Sequence, residues 1–289
     1  MPNVIDLVQG SPEWHSYRKN KLGASYAGII LGISPYMTPF QLWEQILGLS
    51  AQQEEHSGMI RGRELESMAL AFLNVNTYGK YAPAVVESEE YPFICASLDG
   101  LTSDAKHACE IKCLNLNDHD NEYVLEHYKP QLQHQMYCCD LQEITYVGYH
   151  PNSQKPFYTI NVKRDESFLA NYIPRAIEFW KCIQEFRAPP LLDRDYRDFT
   201  QNSEYTALDA AYIELCEKLE NLTNQKEEIR EIMQRMSEGC NVKGLYTKMT
   251  HYTTQGRIDY KRAVTEHLPE LNLEGYRGKP VTATRITKV

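Results

Sequence analysis

The chain has 289 residues, 42% of them apolar, with 20 tyrosines and eight cysteines. This composition excludes a disordered protein and leaves room for one large domain or two modest ones. The net charge of −9 argues against a protein that coats nucleic acid over its whole surface. Residues 201–289 balance 13 basic against 13 acidic groups, so the deficit lies in residues 1–200, with 17 against 26.

No apolar run approaches a membrane span, and the first residues lack a basic-then-apolar signal. The cysteines form no C-x-x-C pair, so the expectation is a cytoplasmic protein with reduced thiols. Ser11-Pro12-Glu13 predicts a helix start, with a capping serine and proline at the first helical position, and Trp14, Tyr17 and Arg18 on the turn that follows. Ser25 is placed to cap a short apolar helix, Tyr26 to Leu31, stopped by Gly32. Thr38-Pro39-Phe40-Gln41 reads as a capping box that opens a helix carrying Leu42, Trp43 and Ile46. A longer helix after Ser57-Gly58 has Leu65, Met68, Ala69 and Phe72 at helical spacing, with Glu66 beside that stripe.

Strands are predicted over Ala84–Glu87, Phe93–Leu98 and Ala108–Cys113, with Asp99-Gly100 read as a turn signal. On the third strand Glu110 and Lys112 share one face and Ile111 takes the other. A hairpin returning from Asp99 brings two carboxylates and one amine together at a sheet edge. Two carboxylates can hold a hard divalent cation such as Mg²⁺, which supplies hydroxide and neutralises phosphate charge, while a lysine positions the water. That is equipment for cutting phosphodiesters. The competing reading is a surface hairpin with a Glu-Lys ion pair.

Farther along, Pro130 starts a helix through Tyr137, and strands follow at Ile144–Tyr149 and Phe157–Val162. Asp165–Phe186 is a helix closed by Ala188-Pro189-Pro190. The expected fold class is α/β, a central mixed sheet flanked by helices. Residues 1–187 form the core, and residues 188–205, rich in Pro, Asp and Arg, read as a linker. Residues 206–289 form an extension: a heptad helix over 206–238 and a small β region over 240–289, with a hairpin expected from Leu245–Tyr252 and Gln255–Tyr260. The heptad seam runs Leu208, Tyr212, Leu215, Leu219, Leu222, Lys226, Ile229, Met233, Met236, in steps of four and three, interrupted only at Lys226.

Five separated blocks, in order, resemble the lambda-exonuclease/YqaJ-type phage recombinase nucleases of the restriction-endonuclease-like fold. They are Gln9-Gly10-Ser11-Pro12-Glu13-Trp14 with Arg18 and Gly23-Ala24-Ser25, then Leu31 to Tyr36 with Leu42-Trp43, then Gly62 to Glu66. The fourth pairs Ser97-Leu98-Asp99-Gly100-Leu101 with Glu110-Ile111-Lys112-Cys113. The last is Tyr128 with Gln131 to Met136. Coverage is roughly residues 9 to 187, and Leu98 departs from the pattern, standing where the family usually has proline.

The resemblance implies that Asp99, Glu110 and the backbone carbonyl of Ile111 bind metal. Lys112 then activates or holds the water, Glu66 adds a carboxylate and Gln133 makes a supporting contact. Arg18 and Ser25 fall where the family grips a 5′-terminal phosphate. It further implies Mg²⁺, with Mn²⁺ as a substitute and two ions per site. The implied activity is a 5′→3′ exonuclease on double-stranded DNA ends, leaving 3′ single strands for recombination, in a homotrimer ring with a single-strand annealing protein as partner. The rival readings are a site- or structure-specific endonuclease on the same fold and a non-catalytic scaffold that binds DNA ends.

Overall fold

A computed structural model describes residues 2–50, 57–77, 80–113, 123, 126–152, 156–253, 256 and 260–267. The chain divides into two units, Met1–Arg197 and Asp198–Val289.

The first unit opens with β1 (Asn3–Ile5), α1 (Pro12–Arg18), β2 (Leu22–Gly23), α2 (Ala27–Ile30) and α3 (Pro39–Ile46). It continues through α4 (Ser57–Asn76), β3 (Tyr81–Glu87), β4 (Ile94–Thr102), β5 (Ala108–Lys112) and α5 (Lys129–Cys139). It ends with β6 (Glu143–Tyr149), β7 (Phe157–Lys163) and α6 (Glu166–Gln184). The seven-stranded sheet has the order β1-β3-β4-β5-β6-β7, with β2 paired alongside β4. β5 and β6 run parallel, with α5 in the crossover between them, while β3–β4, β4–β5 and β6–β7 are antiparallel. The result is the expected mixed sheet between helices.

Alternation along the strands divides the core in two. Leu22, Ile94, Ala96, Leu98, Ala108, Ile144 and Tyr146 pack with α2, α3, α5 and α6 on one face. Cys109, Ile111, Val147 and Tyr149 meet Ala69 and Leu73 of α4 on the other. Of the apolar stripe read from α4, Met68 and Phe72 lie on the exposed side, and Leu73 takes their place in the core.

Two local expectations are corrected. Asp99-Gly100 is no turn: β4 runs on through Thr102, and the reversal is made by Thr102–His107, where the Thr102 N–H donates to the His107 carbonyl and Ala105 has φ 55°. Gly100 sits inside the strand because a Cβ there would meet Cys109 Sγ at 2.6 Å and Tyr81 Cβ at 2.8 Å. Ser25 caps nothing. It lies within a 3₁₀ turn, Ala24–Tyr26, that leads into α2, and the cap position of that turn is Gly23.

Residues 188–197 are not a free linker. Thr38, which caps α3 in a capping box with Gln41, also donates its hydroxyl to Asp195 at 2.6 Å, and Arg194 donates to the Met37 carbonyl at 3.1 Å.

In the second unit, α7 (Ser203–Ser237) is a helix of 35 residues capped by Asn202 and ended by Glu238 in the left-handed region. A small hairpin follows, β8 (Val242–Lys243) and β9 (Lys248–Met249), then α8 (Tyr260–His267). The hairpin thus comes a few residues earlier than expected, turning at Gly244–Thr247. Residues 255 and 257–259 of the expected second strand lie outside the described residues.

Candidate active site

The register of β4 against β5 builds the site. Their ladder pairs Leu101 with Ala108 and Gly100 with Cys109, and goes no further. There the strands stop exchanging backbone bonds, and the Ile111 N–H donates instead to Asp99 Oδ2 at 2.7 Å. One carboxylate thus replaces a ladder bond and is fixed beside the Ile111 peptide. β5 stays straight because β6 holds its other edge, from Cys109–Thr145 to Lys112–Gly148.

Glu110 projects toward α5 and is 3% exposed. A buried carboxylate needs charged or hydrogen-bonding partners, and Glu110 has three. Lys112 Nζ and Gln131 Nε2 both reach Oε1 at 2.5 Å, and Gln135 Nε2 reaches Oε2 at 2.5 Å. Residues 131 and 135 are one helical turn apart and share a face; residue 133 points away from it. Gln133 accordingly braces another place: its Nε2 donates to the Lys163 carbonyl, and its Oε1 accepts from the Asp165 N–H, both at 2.8 Å. The glutamines at the carboxylates are Gln131 and Gln135. The three alternate glutamines of α5 were visible in the sequence, and helical phase against Glu110 was the signal that separates them.

Glu66 reaches the same place from α4. Burial pushes Asp99 well above the usual carboxylate range, the charges of Glu110 and Glu66 push it further, and a hydrogen bond with Glu66 adds to this, while Lys112 works against it. On Lys112, burial pulls the pKa down, but Glu110 and Asp99 more than offset that, so the ammonium is held above its ordinary value. The Lys112 ammonium also lies 5.4 Å from the centre of the Tyr128 ring.

Three carboxylates against one ammonium is an oxygen-rich, electron-rich set, and its charge adds to burial in raising Asp99. Gln135 Oε1 is buried with no partner among the described residues, one more oxygen without a donor. Asp99, Glu110, Glu66 and the Ile111 peptide are the groups that could hold a hard divalent cation. Among the described residues no three Asp, Glu, His or Cys side chains stand together as a closed metal cage. Binding there requires Glu110 to exchange amide and ammonium partners for the ion.

Arg18 and Ser25 are brought near one another through Gly23 and Tyr26. α1 is bolted to β4 by Trp14 Nε1 on Ser97 Oγ at 3.0 Å, and Gln9 bridges the Ala84 and Leu98 carbonyls at 3.0 and 2.8 Å. The Arg18 guanidinium lies between the rings of Trp14 and Tyr26, 4.7 and 5.8 Å from their centres. It passes so close to Gly23 that a Cβ there would stand 2.7 Å from Nη2. Ser25 is exposed in the 3₁₀ turn beside it. The aromatic cradle of Arg18 was not read from the sequence, although Trp14, one helical turn before Arg18, was there to suggest it.

The chain is similar to the uncharacterized protein YqaJ of Bacillus subtilis strain 168, 25% identical over an alignment that covers 86% of each protein. Its fold is shared with the alkaline exonuclease LHK-Exo of Laribacter hongkongensis, with a TM-score of 0.52 at 21% identity over 70% of this chain and 100% of that one. The crystal structure of LHK-Exo in complex with dAMP gives 0.51 at 22% identity over the same shares. The architecture is the restriction-endonuclease-like one. Residues 13–142, which hold Asp99, Glu110, Lys112 and both site glutamines, match the model of the YqaJ-like viral recombinase domain.

Proposed function

We propose that the protein is a metal-dependent exonuclease that degrades double-stranded DNA from 5′ ends and leaves 3′ single strands for recombination. The observation that carries this reading is the placing of Asp99, Glu110, Glu66 and Lys112 at the point where β4 and β5 part, within the segment matched to a viral recombinase domain. The kinship of fold with an alkaline exonuclease supports it.

In this reading Asp99, Glu110, Glu66 and the Ile111 carbonyl would hold Mg²⁺, or Mn²⁺ in its place, as two ions, which would supply a nucleophile at neutral pH and neutralise phosphate charge. Lys112, held as an ammonium, fixes the attacking water by hydrogen bonding and stabilises negative charge growing on phosphate; its raised pKa makes it a poor proton acceptor. Gln131 and Gln135 hold Glu110 in its rotamer. Arg18, stiffened between two rings, and the Ser25 hydroxyl grip a terminal 5′ phosphate by charge-assisted hydrogen bonds. A ring of three subunits and an annealing partner belong to the same proposal and rest on the family resemblance.

The deciding experiment incubates the protein with linear and closed circular duplex, with Mg²⁺ and with EDTA. Loss of the linear form alone, only with Mg²⁺, is expected. Cutting of circles means an endonuclease, and no cutting of either form means a scaffold that binds ends. Asp99→Ala should abolish cleavage. Lys112→Ala should lower turnover by at least about 100-fold while leaving DNA binding in place; near-normal turnover in that variant removes the assigned role.

A further inference from the structure

We infer that α7 is a self-recognition element: two copies of the chain pair through it as an antiparallel coiled coil. α7 is 35 residues long, about 52 Å at 1.5 Å per residue. Its heptad seam is laid open to solvent, from 37% exposure at Met233 to 78% at Met236, with Leu215, Leu219 and Leu222 all above 60%. Among the described residues of this unit the other helix is α8, eight residues or about 12 Å, too short to cover the seam. A 3.5-residue repeat is the spacing by which one helix packs against another.

The sequence of α7 also says which helix, and in which direction. Laid antiparallel about the midpoint between Glu220 and Asn221, each seam residue from Leu208 to Met233 meets a seam residue. Leu219 faces the partner's Leu222, Tyr212 faces the partner's Ile229, and Leu208 faces the partner's Met233. Lys226 meets the partner's Leu215, where its stem can pack and its ammonium reach water. On one flank Asp209 comes beside the partner's Arg230, twice by symmetry, and on the other Ala211 comes beside the partner's Ile232.

The parallel arrangement does worse on each count. It stacks Lys226 on the partner's Lys226 and sets Glu204 against the partner's Asp209. Charge complementarity therefore selects the antiparallel form, which is isologous: each contact joins two chains, so that on a ring of three it joins one ring to a second. Closing the two stripes removes on the order of 1,000 Å² from water, at the lower edge of specific interfaces.

An independent feature lies at the end of the seam. Met233 and Met236, with Val242 and Met249 of the hairpin, line a mostly apolar hollow of about 240 Å³. Engineered apolar cavities of about 150 Å³ accept a benzene ring. The antiparallel register brings the partner's Tyr205 to Met236, at this hollow. Tyr205 is itself exposed, its ring tilted against that of Phe199 with centres 5.2 Å apart. The pairing therefore offers each methionine-lined hollow an aromatic occupant.

The test uses the full chain with Thr223→Cys. Cys216 is exposed, and the antiparallel register puts it beside the partner's residue 223, whereas within one chain positions 216 and 223 lie two turns apart. Mild oxidation should give a covalent dimer, twice 33.5 kDa, without a higher ladder. Cys216→Ser in the same background should remove it. Leu222→Glu, at a position already 62% exposed and so harmless to the single chain, should abolish the cross-link and halve the native mass in sedimentation. Asp209→Arg should weaken pairing at least several-fold, and adding Arg230→Asp should restore it. No cross-link, a cross-link that survives Leu222→Glu, or failure of the charge swap to restore pairing overturns the inference.

Discussion

Glu110 illustrates how one carboxylate is held ready. Buried at the sheet edge, it is held by an ammonium and two amides, those of Lys112, Gln131 and Gln135. Removing an amide from a buried carboxylate costs about 1–3 kcal/mol in lost hydrogen bonding. Gln135→Leu and Gln131→Leu should therefore weaken binding of Mn²⁺, followed by calorimetry without DNA, and lower cleavage. Gln133→Leu should instead lower the melting temperature with metal affinity unchanged, because its partners are Lys163 and Asp165. Metal affinity falling equally in all three would show that position 133 shares the site after all. On the other side of the site, Gly23→Ala should displace the Arg18 guanidinium from between Trp14 and Tyr26. Its loss of rate on 5′-phosphorylated duplex should match that of Arg18→Ala, with little further loss on 5′-hydroxyl ends. Equal losses on both ends in either variant make Arg18 a general contact.

At the level of elements, α5 is unusual in burying Gln133, His134 and Gln135 together. Each works as a tie. His134 joins α5 to two other elements: its Nδ1 lies 2.6 Å from the Tyr172 hydroxyl of α6 and its Nε2 2.9 Å from the Cys95 carbonyl of β4. Burial lowers the His134 pKa from 6.5 to about 4, so the folded state keeps the ring neutral. The unfolded chain then binds a proton that the folded chain refuses, and stability falls as pH drops from about 6.5 toward 4, by about 3 kcal/mol over the window. Chemical denaturation at pH 7.5 and 4.5 should show this slope in the wild type and a shallower one in His134→Gln; identical slopes would place the acid sensitivity elsewhere.

These examples mark what was legible in the chain. From α1 to α6 the order of strands and helices, β2 apart, the E-x-K face and the capping box followed from local periodicity and turn chemistry, which act over a few residues. Asp99-Gly100 misled because a glycine required by a close cross-strand neighbour looks, in one dimension, like a glycine required by a turn. Gln131, Gln133 and Gln135 could be ranked only once the phase of α5 against β5 was known, which is a property of tertiary packing. The cradle around Arg18 depends on a residue after it as well as one before, Tyr26 and Trp14, joined by an excursion through β2.

For the whole molecule, the boundary between Arg197 and Asp198 makes a concrete expectation. A fragment of residues 1–197 should fold cooperatively and retain whatever cleavage the full chain has. Ending the chain at residue 187 instead removes Arg194 and Asp195 from Met37 and Thr38. That should cost about 1–2 kcal/mol, seen as a melting temperature lower by about 2–8 °C. Indistinguishable melting of the two fragments would return residues 188–197 to the role of a linker.

The bond from Thr38 to Asp195 spans 157 positions, and it bears on the order in which the protein can be made. On a ribosome, the helix that Thr38 caps emerges early, while its acceptor emerges only after the whole sheet has been synthesised. The closing contact of the first unit is thus among its most non-local, and loops of that size close slowly. A nascent chain stalled before Asp195 would hold a nearly complete sheet whose α2–α3 layer is still unfastened, open to protease at its edge. Release of a few more residues from the exit tunnel would latch it shut.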